Sequence, residues 1–206
     1  MAAIRERKQS IILKAAGEVF ASNGYDGTKI VDIANKINVP KANIFYYFTN
    51  KEKLYNSVLE SFIQPLLLAT KPFDEYDDPA TALTDYIKLK IEISQQHPFA
   101  SKVFASEMLR GAPHLSKDII EQLTQQTQSA CAKLQSWVDQ GLMDDINPLH
   151  LLFSLWASTQ TYADFNWQIK LHLNTEELTD SDYQLATQTL TKIILKGCGI
   201  SAKKLT

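Results

Sequence analysis

Residues 28–48 read TKIVDIANKINVPKANIFYYF. Ile30, Ile33, Ala34 and Ile37 recur at the spacing of a single helical stripe. The stripe stops at Asn38-Val39, where Asn tolerates a positive φ. Pro40 suits the first turn of a new helix, because its missing N–H is not needed there. Ile44 and Phe45 are expected to face inward from that helix, and Thr28 is an N-cap candidate for the helix before it. The stretch predicts two short helices, 28–37 and 40–48, joined by a tight turn. In a helix-turn-helix of this kind the second helix enters the DNA major groove and the first crosses the backbone.

Upstream, Ile11, Ile12, Ala15, Ala16, Val19 and Phe20 give residues 5–22 a helical period that Asn23-Gly24 should end. Downstream, a helix should start near Lys51 and run through Leu54, Val58, Leu59 and Phe62. Pro65, Pro72 and the acidic run 74–78 read as punctuation. Further helices are expected at 80–96, 99–110, 116–140, 148–173 and 180–197. The alternation Ile87-Lys88-Leu89-Lys90-Ile91 would also suit a strand, but an isolated strand has no partner, so helix is the reading.

Lys41, Ala42, Asn43 and Tyr46 fall on the early, outward part of the second short helix. Lys can donate to guanine, Asn can pair with adenine, and Ala or an aromatic ring can touch a thymine methyl. Thr28, Tyr47 and Lys51 can hold phosphates, as can Arg5, Arg7 and Lys8 in a short basic arm. An ordinary three-helix packing unit would carry the same hairpin. Two adjacent tyrosines cannot both face a core from one helix, however, and a pure packing unit has no need of the exposed one. Charge points the same way. Residues 1–55 hold nine Lys or Arg against five acids, whereas 56–206 hold twelve against eighteen, for a formal net charge of −2. A basic module for a polyanion joined to an acidic body fits that split.

Gly24-Tyr25-Asp26-Gly27-Thr28, Ile33-Ala34, the run Asn43 to Phe48, and Lys51-Glu52-Lys53-Leu54 together resemble the DNA-binding domain of the TetR family. The resemblance implies an all-α homodimer. It has an N-terminal three-helix DNA-binding domain over 1–50 and a C-terminal helical domain for ligand binding and dimerisation over 51–206. It also implies a repressor that a small-molecule effector releases from double-stranded operator DNA. Asn38 stands where the family often has Gly, and Pro40 where it often has Ser or Thr; both suit the turn.

Three later stretches resemble the pyrimidine-utilisation repressor branch of that family. They are Asp85 to Lys90, Pro98 to Pro113 around Glu107-Met108-Leu109-Arg110, and Trp156 to Phe165. That resemblance implies uracil or thymine as effector, with Trp156 and Gln160 in the pocket. The residues themselves are compatible. Trp156, Gln160 and Asp164 are spaced i, i+4, i+8 along one side of a helix. Trp can stack on a planar ring, and an amide can meet its edge of donors and acceptors. Phe104 and Met108, one turn apart on another helix, offer an apolar wall. Alternatively, the helix over 148–170 is plain core or a dimer interface, given Leu149, Leu152, Phe153 and Leu155. A larger apolar effector, or an all-α binding protein with no DNA role, would also accommodate this sequence.

Other chemistries find little support. His97, His114, His150 and His172 have no helical His or Cys partner, and Cys131 and Cys198 form no C-x-x-C pair. No metal, cofactor or disulfide is expected. There is no G-x-S-x-G, Walker loop or G-x-G-x-x-G, so no enzyme is expected either. The opening MAAIRERKQS lacks a following apolar segment, and no apolar run is long enough to span a membrane. The expectation is a cytoplasmic protein.

Overall fold

A computed structural model describes residues 2–200, which form eleven α-helices and no strand. In chain order these are α1 (Ala2–Gly27), α2 (Ile30–Lys36), α3 (Lys41–Tyr47), α4 (Lys51–Leu68), α5 (Lys71–Glu75) and α6 (Pro79–Gln96). They continue with α7 (Pro98–Leu109), α8 (Lys117–Asp139), α9 (Pro148–Asp164), α10 (Asn166–Leu173) and α11 (Asp180–Gly197). The alternating segment at 87–91 lies inside α6, as its surroundings predicted.

The helices divide into two compact units that do not follow chain order. The first runs to Gln64 and adds His97–Ser116; the second takes Pro65–Gln96 and the chain from Lys117 onward. In the first unit, Ile12, Ala15, Ala16 and Phe20 of α1 share a core with Ile33 and Ala34 of α2, Ile44 of α3 and Leu54 and Val58 of α4. Ile11, expected on that stripe, is exposed. The helical hydrogen bonding of α1 runs on to Gly27, but Gly24 breaks it with φ 69 and ψ 176, a conformation essentially confined to glycine. The tight turn between α2 and α3 is a left-handed cap. Asn38 takes φ 53, its N–H donates to the Asn35 carbonyl, and the N–H of Val39 donates to the Ala34 carbonyl at 3.0 Å.

Lys29, not Thr28, precedes α2, and its N–H donates to the Asp32 carboxylate at 3.0 Å. Pro40 is the residue before α3 (ψ 140) rather than inside its first turn. Pro65 does not end α4; the helix runs on one more turn, and the boundary between the two units falls at this residue.

The second unit packs α6 against α5, α9 and α11, and α8 against α9. Its centre holds Phe73, whose ring lies 4.9 Å from Tyr86 and 6.1 Å from Trp137. The short helix α5 was not expected between Pro65 and the acidic run. The single helix expected over 148–173 is two, separated by Phe165 (φ −108, ψ 28). There the Asn166 amide donates to the Tyr162 carbonyl, an alternative to the helical ladder that Asn side chains favour.

At Gly24 an added Cβ would meet nothing within 4 Å, so a substitution there reports backbone strain alone. Gly24→Ala should lower the unfolding free energy by about 1–3 kcal/mol in urea denaturation, while Asn38→Gly should leave it unchanged or slightly higher.

Candidate functional site

With seven residues, α3 sends only Ile44 fully into the core. Lys41, Ala42, Asn43 and Tyr46 are all exposed, Tyr46 by 71%. Tyr47 is half-buried, its ring edge-on to Tyr46 at 5.0 Å. Phe45 does not turn inward; it is 39% exposed and lies under the Lys41 ammonium, 5.3 Å from the ring centroid, while Phe48 beyond the helix fills the core position. Short helices turn about 100° per residue, so adjacent Ile44 and Phe45 cannot share a face.

Two residues expected to hold phosphates have other engagements in this structure. Thr28 is 1% exposed, and its hydroxyl donates to the Gly24 carbonyl at 2.7 Å, closing the turn between α1 and α2. Lys51 rests its ammonium on the Tyr25 ring at 4.4 Å, 3.5 Å from the Asp26 carbonyl. Arg5, Arg7 and Lys8 are exposed, but on the first turns of α1 rather than on an extended arm.

Beneath Tyr25 lies a polar cluster that sequence spacing did not reveal. Glu107 of α7 is 1% exposed and accepts the Tyr55 hydroxyl at 2.8 Å and the backbone N–H of His114 at 2.5 Å. The imidazole Nδ1 of His114 lies 3.2 Å from the same carboxylate. Tyr25 packs on His114 at 4.2 Å and on Tyr55 at 4.8 Å. Burial, then the hydrogen bond to Glu107 and its charge, push the Tyr55 phenol up. The cluster joins α4, α7 and the loop after α7 within one unit. Its residues are far apart in sequence, so only the fold brings them together.

On the second unit the structure lines up two helix faces. Along α6, Tyr86, Lys90 and Ser94 are all buried; along α9 stand Trp156, Gln160 and Asp164, each half-buried. The Trp156 indole N–H donates to the Tyr86 hydroxyl at 2.9 Å, and the Ser94 hydroxyl donates to the Thr159 carbonyl at 2.9 Å. Lys90 is the unexpected member. Burial holds its amine well below the usual lysine range, at about 7, against the opposing pull of the Asp164 carboxylate. A signal for it was present: in a helix, Lys90 stands one turn from Tyr86 and beside Ile87 and Ile91 on the apolar stripe.

Phe104 and Met108 lie on α7 in the first unit, where the Phe104 ring packs on Phe62 at 5.4 Å and Met108 is exposed. A separate open groove of about 450 Å³ runs between the end of α9, α10 and α11, lined by Tyr162, Phe165, Ile169, Leu173 and Leu185. Among the described residues no group of three His, Cys, Asp or Glu is placed to hold a metal ion. No helix among them is long and apolar enough to cross a membrane.

Two measurements follow from the buried groups. Tyr55→Phe should cost about 1–3 kcal/mol of unfolding free energy, because it strips a donor from a buried carboxylate. Lys90 is charged in the unfolded chain up to about pH 10 but largely neutral in the folded one above pH 7. The unfolded state then binds the extra proton, so stability rises with pH in that window. Relative to Lys90→Met, the wild type should gain on the order of 1 kcal/mol per pH unit between pH 7 and 9, read from urea curves at each pH.

Residues 12–58 match the family described as bacterial regulatory proteins, tetR family, and residues 59–201 match the YcdC-like protein, C-terminal region. The HTH-type transcriptional regulator RutR of Escherichia coli (strain K12) is 36% identical over 190 residues, covering 92% of this chain and 90% of that protein. The HTH-type transcriptional repressor NicS of Pseudomonas putida is 32% identical over 113 residues, covering 54% of this chain and 53% of its own. Among solved structures, the ketosteroid transcriptional regulator KstR2 of Mycobacterium tuberculosis superposes with a TM-score of 0.73 at 19% identity, covering 92% of this chain and 94% of its own. The structure of AibR with isovaleryl coenzyme A and operator DNA gives 0.67 at 16% identity, covering 90% and 96%. The helix-turn-helix at α2–α3, the all-helical body and these relatives agree: the chain belongs to the TetR family of bacterial transcriptional regulators, with a YcdC-like C-terminal region, and is a regulator rather than an enzyme.

Proposed function

We propose that this protein is a homodimeric repressor that binds operator DNA through α3 and releases it when a pyrimidine base, uracil or thymine, binds on the second unit. Lys41, Ala42, Asn43 and Tyr46 read base edges, and Tyr47 and Lys51 hold phosphates beside them. What supports the DNA role is that four of the seven residues of α3 are exposed and chemically suited to base edges while Ile44 anchors the helix. Leu149 and Phe153 on α9, with Leu185 and Ile193 on α11, are exposed apolar side chains that a second copy would cover. A dimer bound to DNA needs its two reading helices one helical turn of DNA apart, roughly 34–36 Å. An effector that prefers another spacing weakens DNA binding by its differential affinity and no more.

The effector reading rests on the Trp156 and Gln160 pair, together with the resemblance of three stretches to the pyrimidine-utilisation branch. Trp156 is half-buried with its N–H held by Tyr86, which fixes the indole plane for stacking, and Gln160 stands one turn further along α9. Asp164, one more turn on, adds an acceptor. A second reading is favoured by the open apolar groove at α10 and α11: a larger apolar effector bound there.

Three outcomes are expected. Light scattering gives a dimer, with Phe153→Glu shifting it toward monomer. Lys41→Ala and Tyr46→Ala weaken binding to DNA selected from a random pool by about tenfold or more, and the wild type shows strong salt dependence. Titration calorimetry shows saturable uracil binding that Gln160→Ala loses; no heat at millimolar uracil would sink the pyrimidine reading and leave the DNA role standing.

A further inference from the structure

Helices of seven residues such as α2 and α3 do not hold their own direction, so the segment that launches them must be held for them. That segment is residues 24–28, and side chains from α4 and from the chain just after α7 grip it. The Tyr25 ring packs on the Tyr55 ring at 4.8 Å and on the His114 ring at 4.2 Å, and the Lys51 ammonium lies over it at 4.4 Å. Beside it, the Arg110 guanidinium donates to the Asp26 carboxylate at 3.3 Å. His114 is itself placed by a tight return of the chain. Gly111 and Ala112 take φ 82 and 58, the second at a cost for a residue with a Cβ. The Ala112 N–H then donates to the Glu107 carbonyl at 2.9 Å, and the His114 backbone N–H reaches one oxygen of the Glu107 carboxylate. Glu107 is buried and takes the Tyr55 hydroxyl on its other oxygen. The imidazole thus stands between a buried carboxylate and the aromatic ring that opens the turn toward α2.

We propose that His114 is a positioning residue for DNA recognition: anchored on Glu107, its ring holds Tyr25 and so fixes the direction in which α2 and α3 leave α1. This rests on the reading that α3 binds operator DNA. Thr28 carries the constraint onward, since its N–H donates to the Tyr25 carbonyl and its hydroxyl to the Gly24 carbonyl, and α2 begins two residues later. Gly24, at φ 69 with open space where a side chain would stand, supplies no restraint of its own. Glu107 is a firm anchor, because a buried carboxylate gives up its donors only at a cost. Binding groups must be held to within about 0.5 Å and 10–20° of their productive geometry. A misdirected α3 would lose contacts to base edges while keeping its charge, so the loss falls on affinity for the preferred sequence and not on salt dependence.

The experiment uses the full-length protein, DNA selected by the wild type from a random pool, and three variants: His114→Ala, Tyr25→Leu and the two combined. Hydrogen exchange of His114→Ala should quicken about tenfold across α2 and α3, while thermal unfolding shows the chain folded. Its DNA affinity should fall by about tenfold with the wild-type salt slope kept. Because His114 acts through Tyr25, the double variant should bind within about twofold of Tyr25→Leu. A role confined to packing predicts otherwise: faster exchange in α4 and α7 alone, and losses in DNA binding that multiply or are absent. Any of these results overturns the proposal and leaves DNA reading by α3 standing. Should His114→Ala fail to fold, Tyr25→Leu decides alone, and unchanged exchange in α2 and α3 overturns the proposal. If the wild type selects no DNA, the reading of α3 itself fails and the proposal with it.

Discussion

A helix of seven residues has no independent stability in water, because nucleating it costs more than its few hydrogen bonds return. The existence of α3 therefore depends on what holds it. Ile44 is buried beneath it, Phe48 pins its far end, and the left-handed turn at Asn38 fixes the direction in which the chain leaves α2. The turn in turn needs α2 in place, and α2 is held by Ile30, Ile33 and Ala34 and by the bond from Thr28 into the end of α1. Everything exposed on α3 is presented by a short chain of buried contacts. The chemistry of the surface is carried by a rigid root a few residues deep.

The two units handle buried polar groups in contrasting ways. In the first, Glu107 accepts from the Tyr55 hydroxyl and the His114 backbone N–H, with the His114 ring beside it. A carboxylate so supplied rigidifies the elements it joins, here α4, α7 and the loop after α7. In the second, burial outweighs the pull of the Asp164 carboxylate on Lys90 and holds its amine well below the usual lysine range. A satisfied polar network specifies structure, whereas a buried lysine depends on its surroundings for its protonation state.

Much of the first unit was legible in the sequence because it is local. The stripe of Ile30, Ile33 and Ala34, the turn at Asn38 and the break at Gly24 all depend on residues within a few positions of one another, and each stands as the spacing predicted. Spacing alone turns both Ile44 and Phe45 inward, but a helix admits only one of two adjacent residues, and Phe48 takes the second core place. Thr28 has the composition of a cap or a phosphate ligand, yet its hydroxyl is drawn to a carbonyl four residues back by a turn that composition does not encode. Local propensity makes Pro65 a break, yet α4 continues through it to Leu68. The candidate effector face was legible on α9 through the spacing of Trp156, Gln160 and Asp164. The opposing half on α6 was not, because Tyr86 joins that face through a hydrogen bond to a residue seventy positions away.

Since α3 spends a single fully buried side chain on the core, its exposed positions contribute little to the stability of the fold. Lys41, Ala42, Asn43 and Tyr46 can be exchanged in any combination of helix-compatible residues with little effect on whether the protein folds. On the reading proposed for α3, such exchanges would alter the DNA sequence recognised while leaving the second unit untouched. Gene duplicates can diverge in target first and in signal later, each along its own set of positions.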